Sequence, residues 1–177
     1  MRTEIELQEP KQTLARGSKG HDVVRVQEWL CYHGYNVAID GDYGPATEAA
    51  VKSFQINPSG VVDKDFWRQL VDPIQEVSLP VPTASLPNTV VALAFQHERQ
   101  RPIELGGENK GPWVRLYMAG NEGKEWPWCA GFATYILRQA CEQLSAPMPV
   151  PYRFGCDELA GIAKNLNLLR TGKPEPG

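Results

Sequence analysis

Glu125-Trp126-Pro127-Trp128-Cys129-Ala130-Gly131-Phe132 opens a helical pattern in the second half of the chain, and the rest of the sequence is read outward from it. Ala130, Ala133, Leu137, Ala140 and Leu144 recur at three- and four-residue spacing, with Phe132 and Ile136 widening the apolar face. Pro127 bars helix before the cysteine, so Cys129 is expected in the first turn. There, free backbone N–H groups and the positive end of the macrodipole favour thiolate over thiol. The same groups can hold the oxyanion formed when a thiolate attacks an amide carbonyl. Cys129 is therefore the candidate nucleophile. The competing reading is a small hydrophobe buried at a helix start.

Before this stretch, Asn88 or Thr89 begins a helix to about Arg99, with Val90, Leu93, Ala94 and His97 on one side. On that face His97 reads as a packed histidine rather than a base. Trp113 to Met118 suggests a short helix, and Cys156 to Leu169 a last one beyond Pro147, Pro149 and Pro151. Residues 72–88 hold Pro73, Pro80, Pro82 and Pro87 among Ser, Thr and Val, the composition of a semi-rigid linker. Residues 1–13 are polar without periodicity and read as a flexible arm.

Between arm and linker the pattern is compact. Asp22 is placed to cap a helix to about His33 that turns Val23, Val26 and Leu30 inward and ends at Gly34. Asp40-Gly41-Asp42-Tyr43-Gly44-Pro45 is a turn whose proline starts a second helix, with Thr47, Ala50, Val51 and Phe54 as its stripe. Asp63 caps a third helix carrying Phe66, Trp67 and Leu70. Asp40-Gly41-Asp42 lacks the later acidic ligands of a calcium loop, so no metal is assigned.

This block resembles the peptidoglycan-binding domain found beside many cell-wall hydrolases. The likeness is carried by Gly17-Ser18-Lys19-Gly20 with Asp22-Val23, Val26-Gln27, Leu30, Gly34 and Asp40-Gly41-Asp42-Tyr43-Gly44. It continues through Thr47, Ala50-Val51, Phe54-Gln55, Gly60, Trp67 and Leu70, with Val61-Val62-Asp63 departing from the usual Asp-Gly. The resemblance implies peptidoglycan as partner and places Asp40, Asp42, Tyr43 and Gln55 at the rim of a ligand groove. The same four residues can instead stabilise the turn and the helix start.

Glu104, Gly107, Asn109, Gly111-Pro112, Val114, Tyr117 and Trp128-Cys129-Ala130 with Phe132 resemble a second group, the CHAP and NlpC-like cysteine peptidases and amidases. That likeness implies a papain-like α+β domain and cleavage of a peptidoglycan amide bond by Cys129, without a cofactor. It assigns Glu104 and Asn109 no chemical role. In that group a Pro-Gly like Pro176-Gly177 leads into the sheet that carries the histidine. Residues 1–177 are accordingly expected to hold the helical N-terminal part of such a domain and to have little hydrolase activity.

The expected fold is mainly α: a flexible arm (1–13), a three-helix binding module (14–71), a Pro-rich linker (72–88) and an incomplete cysteine hydrolase domain (89–177). A net charge of −3 gives no electrostatic reason for a nucleic-acid partner, and no apolar run suits a membrane. The first residues, Met1-Arg2-Thr3-Glu4-Ile5, lack the apolar core of a secretory signal. Synthesis in the cytoplasm and action on the bacterial wall follow as the expectation, whether as a phage lysin or an exported effector. The four cysteines show no metal-ligand spacing and are expected as free thiols. The alternative function is a non-catalytic peptidoglycan-binding protein.

Overall fold

The computed structural model describes residues 5–170 and 172, so Pro176-Gly177 lies outside the described residues. It is mainly helical: eight α-helices and one 3-10 turn, Ile5–Leu7, with no strand among the described residues. In chain order the helices are α1 His21–Tyr32, α2 Pro45–Phe54, α3 Lys64–Leu70, α4 Asp72–Val77, α5 Leu86–Arg99, α6 Pro112–Tyr117, α7 Cys129–Leu144 and α8 Cys156–Asn165.

The first three helices close the expected module. Val23, Val26 and Leu30 of α1 are fully buried with Val51 of α2 and Trp67 and Leu70 of α3. Antiparallel bridges Leu14–Val62 and Lys19–Asp42 staple the loops around them. Pro45 occupies the start of α2, and Asp63 caps α3 by accepting from the Phe66 N–H at 2.8 Å. The cap expected of Asp22 is not formed: α1 begins two residues earlier, after Gly20 at φ 109°. The Asp22 carboxylate instead accepts from the Lys11 N–H and pairs with Arg25.

The Pro-rich segment departs from a linker. Residues 72–77 are α4, with Pro73, Ile74 and Val77 buried, and Pro87 sits inside the first turn of α5. Proline at a helix start loses no hydrogen bond, so these prolines begin helices rather than space domains. As a result the two halves share one core. Trp29 of α1 meets Trp113 of α6 edge-on at 6.3 Å between ring centroids, and both are fully buried. Tyr32 donates to the Gln100 carbonyl across the same junction.

The arm departs as well. Residues 5–8 are tied to α1, because Arg25 Nη2 donates to the carbonyls of Ile5, Glu6 and Gln8. The Arg25 guanidinium also lies 4.5 Å from the Trp67 ring centroid. Glu6, polar in the sequence, is buried against Arg115 of α6.

In the second half α7 packs on α5 and α6. Its buried side is turned from the expected stripe: Thr134 and Tyr135 face inward and Ala133 faces solvent. Gly131 sets this orientation. A Cβ there would overlap Met118 Sδ and lie 2.9 Å from the Tyr117 carbonyl oxygen, so α7 touches the α6 backbone directly. Gly131→Ala is expected to push the helices apart and cost about 1–3 kcal/mol, the usual range for overpacking. A denaturant midpoint equal to the parent's would show that the contact is looser than this.

Candidate functional site

Trp128 directly precedes α7, and the exposed thiol of Cys129 belongs to the first helical residue, as the proline signal implied. Its surroundings are fixed by Glu104. One carboxylate oxygen accepts from Trp128 Nε1 at 2.8 Å and the other from the Asn109 N–H at 2.9 Å. The Trp128 indole then stacks on Tyr117, 5.5 Å between centroids and 10° from parallel. Glu104 is thus a positioning residue for the tryptophan beside the thiol, a role that its sequence context did not disclose.

Cys129, Trp128, Phe132, Pro127, Pro102, Asn109 and Glu98 line an apolar cleft of about 520 Å³. The thiol itself touches a second one: Cys129 Sγ and Cys156 Sγ are 3.1 Å apart. Cys156 is the first residue of α8 and is also exposed. The contact with Cys129 pushes the Cys156 thiol up from its ordinary range, while the Ala130 N–H pulls the other way. Spacing in the sequence gave no sign of this pair.

No histidine lines the cleft. His97 is fully buried behind it, and its two ring nitrogens are both engaged. Gln139 Nε2 donates to the Val77 carbonyl, which turns the Gln139 amide oxygen to accept from His97 Nε2–H at 3.1 Å. That leaves Nδ1 as an acceptor, 3.0 Å from the Tyr117 hydroxyl that donates to it. Burial pushes the imidazole down to about 4, with Gln139 working against the shift. His33 bonds the Leu70 carbonyl in the other half, and His21 is solvent-facing. The packed reading of His97 therefore describes its surroundings.

The four residues expected at a ligand rim are each bonded within the module. The Asp40 carboxylate accepts from the Asp42 N–H at 2.9 Å and from Gln27 Nε2 at 2.8 Å, which holds its carboxyl below the usual range. Asp42 is exposed and paired with Lys19 at 2.7 Å. Gln55 closes the loop before Asp63, donating to the Val61 carbonyl and accepting from the Gly60 N–H. Tyr43 corrects the rim assignment outright. It is fully buried, and its hydroxyl donates to the Gly60 carbonyl at 3.1 Å. An aromatic beside Gly41-Asp42 reads as a surface ligand from sequence, but the Lys19–Asp42 bridge folds that turn inward over it. Among these residues Asp40 and Asp42 remain on the surface, and Gln55 is half-buried.

Among the described residues no cluster of three or more His, Cys, Asp or Glu is placed to hold a metal ion. No helix among them is long and apolar enough to cross a membrane.

Residues 19–70 match the family model of a peptidoglycan binding domain, which covers α1 to α3 and the turns between them. No curated protein and no solved structure matches the chain.

Proposed function

We propose that this protein is a peptidoglycan-directed thiol hydrolase, in which residues 19–70 hold it on the wall and Cys129 cleaves an amide bond there. The observation that carries the reading is an exposed thiol at a helix start, beside an apolar cleft, on the same core as a peptidoglycan-binding domain. The Cys129 thiolate attacks the amide carbonyl, and the first-turn N–H groups of α7 stabilise the oxyanion. Collapse breaks the C–N bond and expels the amine, which takes its proton from solvent; water then hydrolyses the thioester, releasing the acid and the free thiol. Anchoring on the wall raises the concentration of such bonds at the cleft, so neither site has to be tight. The resemblance of residues 90–177 to the CHAP and NlpC-like group supports this chemistry and action at the bacterial wall.

The absence of a histidine from the cleft favours a second reading, a peptidoglycan-binding protein without catalysis. A general acid–base contributes roughly 10²–10⁴-fold, so a thiol without one is slow. Both readings expect residues 1–177 to sediment with purified insoluble peptidoglycan. Only the first expects release of free amino groups that disappears in Cys129→Ala. Sedimentation with no release above that variant supports the second, and failure to sediment overturns both.

A further inference from the structure

The contact between Cys129 and Cys156 has no part in the hydrolytic chemistry above. In a nucleophilic site the thiolate needs a proton carrier beside it, yet here the neighbour is another thiol at 3.1 Å. Both sulfurs are exposed and each belongs to the first residue of a helix, so a small molecule in solvent reaches either. The two remaining cysteines are differently placed. Cys31 Sγ faces the Val37 carbonyl, and Cys141 is buried toward the Pro147 carbonyl.

We propose that Cys129 and Cys156 are a reversible thiol–disulfide site, oxidised by a small-molecule disulfide to a bond that joins the starts of α7 and α8. A disulfide requires its sulfurs at about 2.05 Å, so the pair has roughly 1 Å to close. The structure supplies that freedom on one side only. α7 is packed through Gly131, whereas α8 buries none of its residues. The segment before α8 is nonetheless aimed, since Thr134 Oγ1 donates to the Arg153 carbonyl at 2.9 Å and Arg153 pairs with Glu158 at 2.7 Å. α8 thus approaches a fixed Cys129.

The exchange balances with one disulfide reagent. Its S–S bond is attacked by the Cys129 thiolate, giving a mixed disulfide and one reagent thiolate. The first attack is assigned to Cys129, which opens on the apolar cleft, whereas Cys156 is flanked by the carboxylates of Asp157 and Glu158. Cys156 then gives its proton to solvent and attacks the Cys129 sulfur, and the second reagent thiolate leaves. Two protein thiols are oxidised by two electrons as one disulfide is reduced to two thiols. The bond consumes the sulfur that the hydrolytic reading uses, so oxidation would switch that activity off. This last consequence rests on the proposed function, whereas the disulfide does not.

The test is incubation of the folded 177-residue chain with oxidised glutathione, acid quench, and intact mass with peptide mapping. The expected product is lighter by two hydrogens, carries a Cys129–Cys156 linked peptide, and leaves Cys31 and Cys141 free. Alkylation of Cys129 by iodoacetamide in the folded protein is then lost, and dithiothreitol restores it. Cys156→Ser is expected to stop at a glutathione adduct on Cys129. Accumulation of adducts in the parent, or a linked peptide through Cys31 or Cys141, overturns the pair. If the pair forms while amine release from peptidoglycan ignores Cys129→Ala, the nucleophile reading fails and the disulfide stands. If no Cys129–Cys156 peptide forms while release depends on Cys129, the disulfide fails and the nucleophile reading stands.

Discussion

Arg115→Met is expected to destabilise the protein by roughly 3–5 kcal/mol, the cost of removing one partner from a buried ion pair. Arg115 is almost wholly buried and bonded on every side. Nε and Nη2 donate to Glu6 at 2.7 and 3.2 Å, Nη2 and Nη1 to Glu28 at 2.6 and 3.3 Å, and Nη1 to Glu122 at 2.8 Å. All five N–H donors of the guanidinium are used, which no lysine geometry reproduces. Burial opposes the charge on Arg115, but Glu6 and Glu28 override it and raise its pKa. Burial raises the Glu28 carboxyl, against the pull of Arg115, because one cation cannot satisfy three carboxylates in a dry site.

Without the guanidinium, Glu6 and Glu28 stay buried and unpaired. Burial then acts unopposed on the Glu28 carboxyl, whose folded pKa it already raises above the unfolded one. The stability contribution of Glu28 is therefore intact below the unfolded pKa and lost as pH rises, so the deficit of the variant should be larger at pH 7 than at pH 4. At about 2–4 °C per kcal/mol for a chain of this size, the thermal midpoint near neutrality falls by roughly 6–20 °C. Calorimetry at the two pH values checks both parts. A midpoint within a degree or two of the parent's would mean that the cluster is hydrated and not the clamp described here.

That cluster also shows where sequence reading stops. Helix starts and stripes are local, so Pro45, Asp63 and Pro127 located α2, α3 and α7 to within a residue. Glu6 lies 109 residues from Arg115 and Arg25 lies 20 from Ile5, and no local period records such pairings. A polar N-terminal run therefore read as loose although two arginines bind it. The prolines of 72–88 carried a genuine signal, but for helix starts as much as for linkers, and burial of Ile74 and Val77 decided between them. At the site, the place of Cys129 at the helix start followed from Pro127, whereas its exposure and its meeting with Cys156 depend on how the rest of the chain packs. Tyr43 was misplaced for a related reason: turn chemistry fixes the backbone, not which side of the turn the core lies on.

Lowering the pH from 6.5 to 4 is expected to cost the parent roughly 3 kcal/mol through His97 alone, since each pKa unit is worth about 1.4 kcal/mol. The imidazole is pushed down to about 4 by burial, from an ordinary 6.5. Its contribution is full above 6.5, where neither state binds the proton. Below 6.5 the unfolded chain takes a proton that the folded one refuses, and the loss continues until the folded pKa near 4. His97→Gln removes this titration while keeping a donor and an acceptor between Gln139 and Tyr117. It should cost stability at pH 7 yet flatten the fall in urea midpoint between pH 6.5 and 4. Glu28 titrates in the opposite sense but is present in both proteins, so the difference between their slopes isolates His97. Parallel slopes would show that His97 charges freely and is hydrated. The same variant bears on the site. His97 Nε2–H is committed to Gln139 and Nδ1 already accepts from Tyr117, so neither nitrogen is free to take the Cys129 proton. Iodoacetamide labelling of Cys129 should therefore be unchanged in His97→Gln, and a clear fall in its rate would make His97 the base after all.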